Sequence, residues 1–364
     1  MRIIHLIIRF FVGGLFIFSG LIKVNDPAGT AIKLKEYFEV FAIDFGSFFE
    51  IFIPFALPLA VFIVVLEVVL GVAVLINFKM EKTTVILLLL ILFFSFLTFY
   101  SAYFEKVTDC GCFGDAIPLT PWQSFYKDVI LTILIVWLFI FRRDYKPIFR
   151  TLTGMTVIGL TIAVNVGLAL YALAHLPFID FRPYKIGDNI YANMQFTAPP
   201  EYLYVMEKDG VTEEFTSYPT DPDYTFVKMV RLNPETDPKI TDYAVYDTDN
   251  NNVTEETFKG IKVLFLIEKA EKANEEGVKE IMELILGLNA VDVMVMTSSS
   301  PNVFEEFRHE YQLSIPYYFV DSTVLKAMVR SNPGLILMRN GTVLGKWHYN
   351  DVPSAETIYE LAGQ

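Results

Sequence analysis

Long apolar runs in the first half of the chain constrain its fold more than any other feature. A helix needs roughly 20 predominantly apolar residues to cross a bilayer. Five runs approach this length: about Ile3–Ile22, Ile51–Phe78, Thr83–Tyr103, Phe125–Phe141 and Leu152–Leu173. No small-residue cleavage site follows the first run, so we interpret it as a retained helix and not as a signal peptide. The sequence therefore predicts an α-helical membrane bundle in contact with the lipid bilayer.

Basic side chains predict the orientation of this bundle. They form three clusters, which lie at the start of the chain, between the second and third runs, and between the fourth and fifth runs. The clusters consist of Arg2, Arg9, Lys79, Lys82, Arg142, Arg143, Lys146 and Arg150. With five spans they share one side, which the positive-inside rule makes cytoplasmic. We therefore expect a multi-pass protein of the bacterial inner (cytoplasmic) membrane, with loops 23–50 and 104–124 and the C-terminal domain in the periplasm.

The outer loop 23–50 has a regular pattern of its own. Between Thr30 and Phe41, apolar residues recur near helical spacing. This pattern predicts a short amphipathic helix. It lies either on the outer membrane face or against the bundle, and the sequence leaves both open.

The second half of the chain has the composition of a globular domain. Residues 177–364 contain 16 basic and 30 acidic side chains, a net charge of −14, whereas residues 1–176 have a net charge of +1. So acidic a surface is not suited to nucleic acid, and we expect no nucleic-acid partner. Short β-type runs such as Tyr202–Met206, Thr225–Val230 and Tyr243–Tyr246 predict a linker and β-rich segment at 177–259.

Residues 260–364 alternate between strand and helix patterns. The predicted order is a strand at Lys262–Ile267, a helix at Ala270–Leu288, a strand at Asp292–Met296, a helix at Val303–Tyr311, a strand at Tyr317–Val320, a hairpin of Leu335–Met338 and Leu344–Trp347, and a helix at Ala355–Leu361. The turn Asn340-Gly341 marks the hairpin. This order resembles the thioredoxin fold, and Pro333 stands where that family carries a cis-proline.

This domain lacks the redox-active motif of the thioredoxins that it resembles. A redox-active thioredoxin has a C-x-x-C motif after its first strand. Here the segment after Ile267 reads Glu268-Lys269-Ala270-Glu271-Lys272 and has no cysteine. We therefore expect this domain to be redox-inactive and to bind or dock a protein.

The two cysteines of the chain are the strongest candidates for catalytic residues. Cys110 and Cys112 enclose Gly111 in the loop after the third apolar run. Thiols in an oxidising compartment tend to form disulfides, and a small strained ring makes a disulfide more oxidising. Three interpretations stay open: a pair that exchanges electrons with a partner, a passive disulfide, and a metal site. The metal site has only two of the four ligands that zinc usually takes, so we expect none.

Polar residues inside the apolar runs form a second candidate site. Glu67 lies in the middle of the second run, and Ser19 and Lys23 lie at the outer end of the first. Carboxylates within a membrane are costly and usually face a bundle interior or a cavity. Glu67 could pair with a basic group, carry a proton or contact a quinone headgroup, or it could serve only as a polar tie between helices.

Three sequence features resemble known membrane families. The segment R-F-F-V-G-G-L-F-I-F-S-G-L-I-K-V-N-D-P, from Arg9 to Pro27, and the pair Glu67 and Gly71 resemble the DoxX family. The C-G-C-F-G loop, from Cys110 to Gly114, resembles the related MauE family. The resemblance covers about residues 1–145 and implies a four-helix bundle comparable to quinone-linked disulfide-forming membrane proteins.

The complete predicted fold class follows from these patterns. It is a four-helix DoxX/MauE-like unit at 1–145 and a fifth transmembrane helix at 146–176, then the β-rich extension at 177–259 and the thioredoxin-like α/β domain at 260–364. Proteins comparable to the bundle carry two cysteine pairs, whereas this chain has one.

Three functions remain compatible with this architecture. The first is an inner-membrane thiol–disulfide redox protein that uses Cys110 and Cys112, is linked to a quinone and serves an exported or membrane protein partner. The second is a non-enzymatic anchor or scaffold whose thioredoxin-like domain binds partners in an assembly or export complex. The third is solute transport, for which Glu67 is the one indication.

Overall fold

The computed structural model describes residues 2–107, 111–289 and 291–363, with the side chain of Arg2 excepted. The chain divides into two compact units, Met1–Arg182 and Pro183–Gln364. Cys110, one of the two predicted redox cysteines, lies outside the described residues.

The first unit is a helical bundle. Its elements are α1 (Arg2–Asn25), α2 (Pro27–Asp44), a 3-10 helix (Ser47–Phe55), α3 (Ala56–Leu75), α4 (Met80–Phe104), α5 (Pro121–Ile140) and α6 (Thr151–Ala174). Within the described residues, five helical segments are long and apolar enough to cross a membrane. These are α1, the 3-10 helix continued by α3, α4, α5 and α6, which confirms the five predicted spans.

The short helix predicted in loop 23–50 is α2, and it contacts the bundle. Pro27 lies at its first position and the Asp26 carboxylate caps it, accepting a hydrogen bond from the backbone N–H of Gly29. The hydroxyls of Tyr37 on α2 and Ser101 on α4 lie 2.6 Å apart in a buried hydrogen bond. Of the two interpretations left open, the structure therefore supports a helix that packs on its neighbours.

Close approach of α1 and α3 depends on glycine. A Cβ atom on Gly20 would lie 2.6 Å from the Val68 side chain, and one on Gly71 would lie 2.7 Å from the carbonyl oxygen of Gly13. Distances this short are not compatible with van der Waals radii. Small residues at helix interfaces in membranes allow backbones to approach in this way. The contact brings the middle and the C-terminal part of α1 against the second half of α3.

The second unit is an α/β domain with two sheets. Its elements are α7 (Ile190–Asn193), β1 (Tyr202–Lys208), β2 (Val211–Phe215), β3 (Thr225–Arg231), β4 (Val245–Tyr246), β5 (Ile261–Ile267), α8 (Glu275–Leu286), β6 (Asp292–Thr297), α9 (Pro301–Tyr311), β7 (Tyr317–Val320), α10 (Ser322–Met328), β8 (Gly334–Arg339), β9 (Thr342–His348) and α11 (Ala355–Ala362). β1, β2 and β3 form an antiparallel sheet in the order β2-β1-β3, and the other strands form a six-stranded sheet in the order β4-β7-β6-β5-β8-β9.

The six-stranded sheet has the predicted thioredoxin-like arrangement. β5, β6 and β7 are parallel, whereas β8 is antiparallel to β5 and forms a hairpin with β9. Val263, Phe265 and Ile267 on one face of β5 are fully buried beneath the helices. The peptide bond between Asn332 and Pro333 is cis, which confirms the prediction at Pro333.

One sequence prediction for this unit needs correction, and two further elements were not predicted. The helix predicted at Ala270–Leu288 is a 3-10 turn at Ala270–Lys272 followed by α8, because the Asn274 side chain accepts a hydrogen bond from Gly277 and starts the α-helix there. Strand β2 and helix α10 were not predicted. Every residue of β2 except Phe215 is exposed, so it has no apolar periodicity, and α10 has only seven residues.

Candidate functional site

A buried ion pair joins α1 to α3. The ammonium Nζ of Lys23 lies 2.6 Å from Oε1 of Glu67, and the two side chains are 7% and 1% exposed. The same ammonium lies 4.8 Å from the centre of the Phe94 ring on α4, within range of a cation–π interaction. In the structure Glu67 thus pairs with a basic group, which is one of the possibilities predicted for it.

A serine connects this ion pair to the C-G-C loop. Ser19 Oγ lies 3.1 Å from Oε2 of Glu67 and 2.9 Å from the backbone carbonyl oxygen of Cys112. A hydroxyl has one hydrogen and can donate it to one of these two oxygens at a time. The structure therefore brings together four of the five predicted site residues: Ser19, Lys23, Glu67 and Cys112.

The described part of the C-G-C loop folds into a tight turn. Gly111 and Gly114 have φ values of +63° and +51°, which glycine adopts without a steric penalty. The backbone N–H of Gly114 donates to the carbonyl of Gly111 across 3.1 Å. Phe113 is buried, with its ring 5.9 Å from that of Phe18 on α1. Cys112 is half-buried, and its backbone carbonyl accepts the hydrogen bond from Ser19 on α1.

A second carboxylate lies beside the same loop, and sequence analysis missed it. Asp128 on α5 is 1% exposed; its oxygens accept hydrogen bonds from Lys127 Nζ at 2.6 Å and from Thr98 Oγ1 at 3.0 Å. Lys127 also lies 5.2 Å from the centre of the Phe113 ring. The sequence signal that could have revealed this site is the adjacent pair Lys127-Asp128 within an apolar run. A carboxylate at that position is as costly in a membrane as Glu67.

A third polar cluster includes the C-terminal residue of α2. The carboxylate of Asp44 accepts hydrogen bonds from Lys106 and from the hydroxyl of Tyr100. The hydrogen bond from the Lys106 ammonium, followed by that from Tyr100, lowers the pKa of Asp44 below its ordinary value. Asp44 is therefore ionised at neutral pH and ties α2 to the segment that leads into the C-G-C loop.

The thioredoxin-like sheet carries a different set of polar residues where a redox-active relative would have cysteines. After β5, the Glu268 carboxylate accepts a hydrogen bond from Ser322 Oγ at 2.6 Å and lies 3.4 Å from Lys326 Nζ. Asn332 Nδ2 donates to the carbonyl of Lys269 at 2.8 Å and connects this turn to the cis-proline loop. These interactions can stabilise the turn but supply no thiol. Within the described residues, no cluster of three or more histidine, cysteine or acidic side chains is placed to bind a metal ion.

The fold and the site define a multi-pass membrane protein that carries a thioredoxin-like α/β domain. Residues 1–141 match the model of the family described as methylamine utilisation protein MauE, so this part of the chain is similar to that family. The chain is also 31% identical over 172 residues to Protein TlpB of Flavobacterium psychrophilum, a stretch that covers 45% of this chain and 43% of that protein. The chain thus spans less than half the length of this relative. No solved structure gave a significant match. These similarities agree with the membrane-spanning helices of the first unit.

Proposed function

We propose that this protein is a thiol–disulfide oxidoreductase of the bacterial inner membrane that uses Cys110 and Cys112. The observation that carries the proposal is the chain of contacts from Cys112 through Ser19 to the Glu67–Lys23 ion pair. In this chain the Ser19 hydroxyl contacts the backbone of Cys112, the Glu67 carboxylate contacts Ser19, and the Lys23 ammonium contacts Glu67.

The proposed reaction begins with the pair as a disulfide and a partner protein as a dithiol. One partner thiolate attacks a sulfur of the pair, the S–S bond breaks, and a mixed disulfide forms. The second partner thiolate then attacks the mixed disulfide. The partner leaves as a disulfide, and two electrons and two protons have moved to Cys110 and Cys112. A lipid-soluble quinone would reoxidise the pair by accepting two electrons and two protons to become a quinol.

The residues beside the loop fit the carbonyl group of such a quinone. Lys23 has three N–H groups, and in the part of the chain that the structure describes its hydrogen bond to Glu67 uses one. Ser19 supplies one hydroxyl hydrogen, for which a quinone oxygen would compete with Glu67 and the Cys112 carbonyl. Lys23 and Ser19 would hold a quinone oxygen, and Glu67 would be the group that holds or releases a proton.

Ser19 can couple the protonation of Glu67 to the position of the loop. When Glu67 is ionised, its Oε2 competes with the Cys112 carbonyl for the single Ser19 hydrogen. When Glu67 is protonated, its oxygen is a weaker hydrogen-bond acceptor, so Ser19 donates to the carbonyl oxygen of Cys112 instead. In this proposal Asp128 and Lys127 position Phe113, on the other side of the loop.

The basic clusters support the proposed orientation. His5 Nδ1 lies 3.1 Å from the hydroxyl of Tyr145, and Asn77 Nδ2 donates to the carbonyl of Lys146 at 2.9 Å, so the three basic segments meet at one end of the bundle. The positive-inside rule would make that end cytoplasmic and the C-G-C loop periplasmic. A reporter fused after residue 364 that is active only in the cytoplasm would contradict this orientation.

The test uses the purified full-length protein in lipid, a reduced peptide with two cysteines, and a soluble quinone analogue. We expect one quinone to be reduced for each peptide disulfide formed. The Cys110→Ser and Cys112→Ser variants should show no turnover. Glu67→Gln should be slower by about 100-fold if Glu67 is a general acid or base, and Ser19→Ala by up to about tenfold.

The matched control is Ser95→Ala, which removes a serine hydroxyl from α4 that bonds instead to Thr132. It should keep the wild-type rate. Undiminished turnover in a Cys110→Ser/Cys112→Ser double variant would refute the proposal.

A second candidate function is a membrane-anchored scaffold. The observation that favours it is the segment after β5, where Glu268 binds Ser322 and Lys326 and no cysteine is present. Purification in mild detergent distinguishes the two functions. A stoichiometric partner that stays bound to the cysteine double variant supports a scaffold, whereas co-purifying quinone supports redox chemistry.

A further inference from the structure

The end of the bundle opposite the C-G-C loop contains a basic groove. Its volume is about 400 Å³, and its lining includes Asn77, Lys79, Lys82, Arg142, Arg143 and Tyr145. Glu81 also lines it and lies 3.4 Å from Arg143. Among the residues that the structure describes, Lys79, Lys82 and Arg142 form no ion pair with a carboxylate. The groove therefore has an excess of three positive charges.

The groove also contains the start of a long helix. The N-terminal residues of α4, beginning at Met80, line it, and Lys79 precedes them with a φ of +43° and no side-chain cap. The first amides of a helix are unpaired donors at the positive end of its dipole. Such an end binds phosphate when basic side chains surround it.

A buried acceptor in the groove points to a ligand that also has a donor. Asn77 is 5% exposed; its Nδ2 donates to the carbonyl of Lys146, while its Oδ1 has no hydrogen-bond partner among the described residues. A buried oxygen without a donor is costly. A hydroxyl or ammonium group attached to the bound anion would satisfy it.

The groove lies at the end of apolar, exposed helices. Leu152, near the start of α6, is 77% exposed, and Ile3, near the start of α1, is 73% exposed. Acyl chains can cover such surfaces, whereas a soluble anion cannot. Basic pockets between transmembrane helices on the cytoplasmic side bind anionic lipid headgroups.

We propose that this groove binds the phosphodiester headgroup of an anionic phospholipid. The lipid phosphate would lie between Lys79, Lys82 and Arg142 at the start of α4, and a headgroup donor would reach Asn77. The site is independent of the redox proposal, because it lies at the other end of the bundle and uses none of the same residues.

The test measures lipid retention by native mass spectrometry of the full-length protein, released from micelles that contain phosphatidylglycerol and phosphatidylcholine. We expect the wild type to retain phosphatidylglycerol preferentially, and this preference to fall at high salt. The Lys79→Gln/Lys82→Gln variant should retain about 10- to 30-fold less phosphatidylglycerol, because each basic residue near the surface contributes about a factor of five.

The matched control is Lys146→Gln/Arg150→Gln, which removes the same charge from exposed positions outside the groove. A much smaller loss is expected for it, because neither Lys146 nor Arg150 lines the groove. An equal loss in both variants would assign the effect to general surface charge and overturn the site. Equal retention of both lipids by the wild type would also overturn the site. This result does not depend on whether any variant folds. Displacement of the lipid by glycerol phosphate at comparable concentration would identify a soluble phosphate compound as the ligand instead.

Discussion

The buried Lys23–Glu67 pair permits a quantitative test of what holds α1 against α3. At 2.6 Å, and with an effective dielectric constant of about 20, the attraction between the charges is about 6 kcal/mol. Desolvation of each ion costs several kcal/mol and offsets most of this gain. The pair as a whole should therefore contribute little to the free energy of unfolding. Removal of one partner should cost about 3–5 kcal/mol, because the other charge is left buried.

A double-mutant cycle separates these two quantities. Glu67→Gln and Lys23→Met should each lower the free energy of unfolding by about 3 kcal/mol or more. The double variant has no buried charge, so it should lose no more than either single variant, although simple addition predicts about 6 kcal/mol.

The assay is reversible unfolding in mixed micelles with increasing denaturing detergent, followed by far-ultraviolet circular dichroism. Glu81→Gln is the control, because Glu81 and its partner Arg143 are both exposed and their pair should contribute at most about 1 kcal/mol. Additive costs in the double variant would show that Lys23 and Glu67 do not depend on each other, and would refute the coupling on which the site is built.

The remaining predictions concern packing, pH and the second carboxylate. Gly71→Ala should destabilise the bundle by about 1–3 kcal/mol in the same assay, because its Cβ would meet backbone, whereas Gly14→Ala, with open space around it, should change stability by less than about 1 kcal/mol. Burial raises the pKa of Tyr243 to about 12, so the folded state keeps a proton that the unfolded state loses above about pH 10. Stability should then fall by about 2–3 kcal/mol between pH 10 and 12, and Tyr243→Phe should reduce this loss in pH-dependent unfolding, while Tyr184, whose pKa is also raised by burial, accounts for a remaining slope. Asp128→Asn should lower thiol-exchange turnover without abolishing it, and unchanged turnover would exclude a role for Asp128 in positioning the loop.

The sequence predicted elements whose signal is local. A membrane span needs only an uninterrupted apolar run, so all five spans could be located from hydropathy. The hairpin of β8 and β9 could be located because Asn340-Gly341 requires positive φ at both positions, and the structure gives +49° and +78°. Strand β2 could not be located, because its stability comes from hydrogen bonds to β1 and not from buried side chains.

Contacts between distant residues needed the structure. Ser19, Lys23 and Glu67 were each noticeable as polar groups within or beside apolar runs, but their meeting depends on the close approach of α1 and α3 at glycines. Glycine within a helix pattern is ambiguous in sequence, since it can also mark a helix end or a flexible position. Asp128 was missed for a related reason: its neighbour Lys127 made the pair look like the membrane boundary and not like a buried cluster.

The number of cysteines decides where the electrons of the proposed reaction must come from. Both cysteines of the chain lie in one loop, and the thioredoxin-like domain has none. A chain with two cysteine pairs can pass electrons from one pair to the other, but a chain with one pair has to receive them directly from another molecule. In the redox proposal the α/β domain therefore cannot be a relay, and its contribution is to bind the protein whose thiols are oxidised. Removal of this domain should then raise the KM for a protein partner and leave the kcat for a small dithiol unchanged. A loss of kcat with the small dithiol would instead show that the domain supports the cysteine loop itself.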